Sequence, residues 1–238
     1  MSKFAQQPGA RLMKPLAILA STIALSFSLP AAHAAIPADP AGGETIQFNV
    51  YRGNSSFGTH EVRFQRNGDE LIAEVSVRLR AGFGPVTVFR YEHDSVERWR
   101  DGQLVALEGE TLKDGSRFPV EAVRNGAGIV SEGVLPEGEQ HTAELPGDII
   151  PSSHWRGYEE DLRRILNTEH GDAMEVSISD MGMEEIEADG GTIQARRIRL
   201  EGTLTVDLWY DENGFWAGCE FEARGQRIRY VRQANPVA

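Results

Sequence analysis

Val86-Thr87-Val88-Phe89-Arg90-Tyr91-Glu92-His93-Asp94-Ser95-Val96-Glu97-Arg98-Trp99, closed by Arg100-Asp101-Gly102, is the stretch on which the fold turns. Aromatic and β-branched residues dominate it and its side chains alternate, which predicts one long strand. Phe89, Tyr91, His93, Ser95, Glu97 and Trp99 fall on one face. Arg90, Glu92, Asp94 and Arg98 fall on the other, where they suit water. An aromatic face that also carries a histidine, a serine and a glutamate either satisfies those groups internally or offers them to a ligand.

The same pattern continues on both sides. Before it, Leu71, Ala73, Val75, Val77 and Leu79 alternate with Glu74, Ser76, Arg78 and Arg80, as in a strand with one wet face. Further upstream, Glu44–Tyr51 and Thr59–Arg66 alternate, the latter with His60, Val62 and Phe64 on its apolar side. Asn67-Gly68, Asp101-Gly102, Asp114-Gly115 and Asn125-Gly126 separate successive alternating segments. Such dipeptides tolerate the positive φ of hairpin turns, so an up-and-down antiparallel meander is expected. Residues 133–147, with Pro136, Gly138 and Pro146, read as a surface loop holding at most one short strand. Alternation resumes from Met174 to Arg232.

Between these halves lies a different spacing. Trp155, Tyr158, Leu162, Ile165 and Leu166 recur at helical intervals, and Glu159 with Arg163 and Glu160 with Arg164 are opposite charges four apart. A short helix near Tyr158–Leu166 is predicted, capped by Ser152 or Ser153. The fold class is therefore mainly β. Ten to thirteen strands form a large, strongly curved antiparallel sheet, an open or nearly closed barrel, with one short helix packed on it or plugging it.

The first residues read as a targeting segment. Lys3, Arg11 and Lys14 precede an apolar run from Pro15 to Leu29, and Ala32-His33-Ala34 supplies small residues for cleavage after Ala34. The run is shorter than the ~20 residues of a membrane span. Residues 1–34 are thus a signal peptide, 35–43 a flexible leader and 44–233 one β-rich domain, and the expected location is periplasmic. No stable membrane span is expected after cleavage, which takes the net charge from −12 to −15. That balance argues against nucleic acid as a partner. Cys219, the single cysteine, cannot form an intramolecular disulfide and reads as a buried, inert thiol.

Chemistry-bearing patterns are few. There is no His-x-x-x-His, Cys-x-x-Cys, Gly-x-Ser-x-Gly or phosphate loop, so no metal, cofactor or catalytic residue is assigned. His60 and His93 each lie on the apolar face of a strand, and in a meander both can line one concavity. Glu97, two pairs along from His93, reads as either a buried ion pair or a polar tip in a pocket. The candidate ligand-binding residues are His60, Tyr91, His93, Glu97, Trp99, His154 and Trp155. The expected ligand is an apolar or amphipathic envelope molecule. An envelope assembly partner gripping the outer charge ladders is an alternative, as is a hydrolase using His93 or His154.

Phe89–His93 with Glu97–Gly102, then Pro151-Ser152-Ser153-His154-Trp155, Leu166-Asn167-Thr168 and Leu208-Trp209-Tyr210-Asp211, resemble the bacterial exported proteins grouped as domain of unknown function 6134, akin to the 3108 group. The resemblance spans most of the mature chain. It implies an exported, β-rich protein and carries over neither an activity nor catalytic residues.

Overall fold

The computed structural model describes residues 39–83 and 86–234; residues 1–34, read above as a targeting segment, lie outside them. Eight strands run up and down in order: β1 (Thr45–Arg52), β2 (Ser55–Asn67), β3 (Glu70–Phe83), β4 (Val86–Arg100), β5 (Gln103–Lys113), β6 (Ser116–Asn125), β7 (Gly128–Val134) and β8 (Gln140–Pro146). A strap follows, with three short strands, β9 (Ile150–Pro151), β10 (Arg164–Leu166) and β11 (Ala173–Glu175). The second meander is β12 (Ser177–Ala188), β13 (Gly191–Glu201), β14 (Thr205–Asp211), β15 (Trp216–Ala223) and β16 (Gln226–Arg232). Pairing of β16 with β1 fuses the two meanders into one 13-stranded antiparallel sheet with β12 and β8 at its edges.

The sheet curls strongly but does not close. Three strands separate β12 from β16 in the sheet order, yet Glu187 on β12 pairs with Arg229 on β16 at 2.7 Å. The Asp189 amide just beyond β12 also donates to the Arg232 carbonyl at 2.9 Å. Edges β8 and β12 remain unjoined.

Among the described residues there is no helix, which corrects the expectation for Tyr158–Leu166. His154 and Gly157 both take positive φ, 67° and 76°, and break the backbone just ahead of it. Ile165 and Leu166 instead pair with Ile150 and Pro151 in a parallel two-strand contact. The supposed ion pairs dissolve. Arg163 donates to the Glu160 and Leu162 carbonyls, and Arg164 pairs with Glu175. The apolar positions do face inward, but as an irregular strap drawn onto the sheet, so burial overrides a weak helical spacing. No helix of the described residues is long and apolar enough to cross a membrane.

Register lays the inward side chains in rows across the strands. One row is Phe48, His60, Val77, His93, Thr111 and Phe118. The next is Ile46, Val62, Val75, Ser95, Gly109 and Val120. A third is Phe64, Ala73, Glu97, Leu107, Ala122 and Ser131. The described part of the leader is tied down at the third-row end: Asp39 pairs with Arg156 at 2.7 Å, and Arg66 donates to the Pro40 carbonyl.

The strap crosses the concave face closely enough to forbid a side chain at Gly133. A Cβ there would lie 1.9 Å from the His170 carbonyl oxygen. Gly133→Ala is expected to destabilise the fold by about 1–3 kcal/mol, as overpacking does, measured by urea unfolding. A change within about 0.5 kcal/mol would mean that residues 167–172 lift off β7 freely.

Candidate functional site

Along β4, positions 93, 95 and 97 point inward in turn, so His93, Ser95 and Glu97 occupy successive rows. Each finds a different environment. His93 is saturated: Nδ1 lies 2.8 Å from the Thr111 hydroxyl and Nε2 3.1 Å from the Ser95 hydroxyl. Burial pushes its pKa down to about 4, against a weaker upward pull from Glu169 and Asp94 and a downward one from Arg78. It is therefore a neutral imidazole near pH 7, and hydroxyl groups can serve whichever nitrogen needs a donor or an acceptor.

Glu97 does not pair with His93, because Ser95 stands between them. Its Oε2 accepts the indole N–H groups of both Trp99 and Trp155, each at 2.9 Å. The Ser153 hydroxyl also interacts with the carboxyl, and Arg156 is near enough to favour its charge. Burial outweighs these and raises the pKa of Glu97 above the usual carboxylate value. The two indoles meet edge to face, 5.6 Å between centroids, and the Arg156 guanidinium lies 4.5 Å from the Trp99 ring. Glu97 is fully buried. It works as a clasp holding the strap to β4.

His154 is held in the strap. Its Nδ1 lies 2.8 Å from the Tyr158 hydroxyl, which donates onward to the Pro151 carbonyl, so Nδ1 carries the proton. Burial lowers its pKa to about 4. Both His154 and His60 stand edge-on against Trp216, at 5.7 and 5.0 Å. His60 is close enough to His154 and His93 that both add to the effect of its burial, and its pKa falls to about 3. Unlike Nε2 of His93, Nε2 of His60 has no hydrogen bond and is shut away from solvent.

The structure thus divides the seven sequence-derived residues. Glu97, Trp99 and Trp155 form the clasp at the packed end. His60, His93 and His154 cluster in the middle. Tyr91 lies farther along β4, partly buried. Sequence reasoning missed Arg156, Thr111, Trp216 and Tyr230. Trp216 escaped because a bulge opposite Trp209/Tyr210 resets the alternation of β15, turning inward a residue that a strict period of two puts outward. Arg156 follows Trp155 directly, and a cation beside a buried aromatic was the available signal.

The interior opens toward one end. Along β3 the inward residues Leu71, Ala73, Val75, Val77 and Leu79 are 1, 0, 3, 6 and 8% exposed, and Ala81 beyond them is partly exposed. On β4 the progression runs from buried Trp99, Glu97, Ser95 and His93 to partly exposed Tyr91 and Phe89. Phe57 stacks on Phe89 at 5.6 Å, and Phe221, Ala223 and Tyr230 are also only partly buried at this end. Two cations rim it: Arg224 sits 5.9 Å from the Phe89 ring, and Lys113, paired with Glu169, lies 5.9 Å from Tyr91. At the opposite end, a depression of about 340 Å³ is lined by Glu44, Asp189, Asp211 and Arg232 among others. Arg232 there bridges the two aspartates at 2.6 and 2.8 Å. Among the described residues, no three His, Cys, Asp or Glu side chains are grouped to hold a metal.

Residues 48–233 match the family described as Domain of unknown function (DUF6134). The chain belongs to that family. No curated protein matches this chain in sequence. Among solved structures, the fold is similar to a beta-barrel-like protein of the domain of unknown function DUF1849 from Brucella abortus. The TM-score is 0.58 at 10% identity, over 79% of this chain and 94% of that one. At that identity the likeness speaks for the fold alone: barrel-like and antiparallel. A protein from Parabacteroides distasonis with a provisional lipoprotein designation aligns over 83% of this chain and 96% of its own, at 9% identity. Its TM-score of 0.31 carries no argument.

Proposed function

We propose that this DUF6134 protein is an exported carrier or receptor that takes an apolar or amphipathic small molecule into the concave face of its sheet. The molecule enters at the β3–β4 hairpin end. The observation that carries this reading is the graded exposure of the inward residues along β3 and β4, which leads from a sealed clasp to a ring of partly covered aromatics. Ligand sites are concave, mostly apolar and fitted with a few placed polar groups. Phe57, Leu79, Phe89, Tyr91 and Tyr230 supply the apolar wall, and the histidines supply the polar groups. Export rests on the first 34 residues of the sequence.

The outward ladder of β3 and β4 pairs with itself: Arg78 with Asp94, Arg90 with Glu92 and Arg98 with Glu70. That leaves a scaffolding partner little unpaired charge to grip. A hydrolase built on Ser152 or Ser153 with His154 lacks its contact, because Ser152 bonds to Thr168 and Ser153 serves Glu97.

The test is fluorescence of N-phenyl-1-naphthylamine with the processed chain, beside mass spectrometry of lipid extracted from the purified protein. Saturable binding is expected, weakened about tenfold by Leu79→Trp, which puts a bulky side chain in the opening. Absence of both dye binding and a co-purifying lipid would end the carrier reading.

A further inference from the structure

We propose that the molecule held in this interior presents an uncharged hydrogen-bonding group, a hydroxyl or carbonyl, to His60, and that carboxylate and phosphate heads are kept to the rim. The inference rests on the binding reading above and names the chemistry of its ligand.

The first observation is the His60 side chain itself. It lies in the inward row between Phe48 and Val77, is 94% buried, and has an Nε2 with no partner and no solvent. Its neighbours are ring edges and faces: Trp216 at 5.0 Å, Tyr230 at 5.7 Å and Phe48 at 6.1 Å. Buried polar groups are nearly always paired. His93, one strand beyond β3 in the same row, follows that rule at both nitrogens. Tyr230, beside it, is only partly buried and so marks the side from which the pocket is reached. A buried polar atom without a partner, walled by aromatic rings, is the pattern a ligand completes.

The second observation is where charge is missing. The ionisable groups that act on His60 are His154 and His93, both neutral near pH 7; no lysine or arginine is among them. An anion brought to this depth would lose its water without gaining a counter-charge, which costs several-fold more than burying a neutral group. The cations near the aromatic wall, Arg224 and Lys113, stand at the rim over Phe89 and Tyr91. The third observation is position. His60 lies where β2 and β3 pass from sealed to reachable residues, so a chain entering past Phe57 and Leu79 meets it.

The experiment is displacement of N-phenyl-1-naphthylamine from the processed chain by decan-1-ol, decanoate and decane at pH 8. The wild type is compared with His60→Leu and, as a second size-matched variant, His60→Phe. Decan-1-ol is expected to compete at least about tenfold better than decanoate, and its affinity relative to decane to fall about tenfold in the variants; tenfold is the worth of one hydrogen bond in a dry site. In the wild type, adding decan-1-ol should also shift the His60 ring resonances, a reading that needs no variant to fold. Decanoate equal to or better than the alcohol would overturn the proposal, as would an alcohol affinity indifferent to His60, and either result would leave the binding reading standing. Failure of all three compounds and the dye to bind would overturn both.

Discussion

Between pH 7.5 and 5 the protein is expected to lose on the order of 5 kcal/mol of stability, enough to leave many domains unfolded. His60, His93 and His154 have folded pKa values near 3, 4 and 4, all below the ordinary value of 6.5. A depressed histidine contributes stability that is fully present above its unfolded pKa and is lost as the pH falls toward its folded one. Protons bind the unfolded chain below pH 6.5, while the folded chain refuses them until about pH 4. At pH 5 each group therefore costs about 2 kcal/mol. Glu97 runs the other way. Its raised pKa makes its contribution greatest at low pH and lost as the pH rises through the folded value, but it is one group against three. Urea titrations at the two pH values measure the difference, and His60→Leu should remove about a third of it. A stability that stays flat from pH 7.5 to 5 would show that these imidazoles are not shut away from water.

Glu97→Ala is the second large effect. It leaves the indole N–H groups of Trp99 and Trp155 without an acceptor and opens a void beneath them. Each stranded buried donor costs roughly 1–3 kcal/mol, so a total of about 3–5 kcal/mol is expected. Glu97→Gln keeps a carbonyl with two lone pairs and should cost less than about 1 kcal/mol, while abolishing the decline in stability that the carboxyl imposes as the pH rises. The strap is the first part to feel the alanine. Trypsin should cut the loosened variant after Arg156, Arg163 or Arg164 well before the wild type. A Glu97→Ala protein as stable and as resistant as its parent would mean that the clasp holds nothing.

The β architecture was open to reading because alternation and turn chemistry agree at four hairpins of the first meander. Leu71 to Leu79 do line one face. The turns fall at Gly68, Asp101-Gly102, Asp114-Gly115 and Gly126, all with positive φ. Residues 140–146 were underestimated. Their sparse apolar content conceals a full edge strand, whose pairing with β7 rests on backbone hydrogen bonds rather than on buried side chains. The strap misled through a coincidence: residues spaced to face one side of a helix can also face one side of an irregular segment, and only the tertiary pull of β9 on Ile165 and Leu166 decides between them. For the site, the inward histidines were visible as polar residues at apolar positions. Which of them would be left without a partner was not visible. That depends on the neighbouring strands, since Thr111 reaches His93 across β4 and β5, while His60 meets only rings.

The seam between β1 and β16 joins residues at the two extremes of the described chain, Phe48 opposite Arg232 and Arg52 opposite Ile228. A strand near the beginning thus waits for nearly the last segment to arrive before one of its sides is hydrogen-bonded. During synthesis, the growing sheet carries a bare, sticky margin for as long as the remaining strands take to emerge. Long-range closure of this kind is slow and invites mispairing between neighbouring molecules. A sheet stitched together at β1 and β16, the first and last strands of the described residues, is open to such mispairing until the final strand is in place.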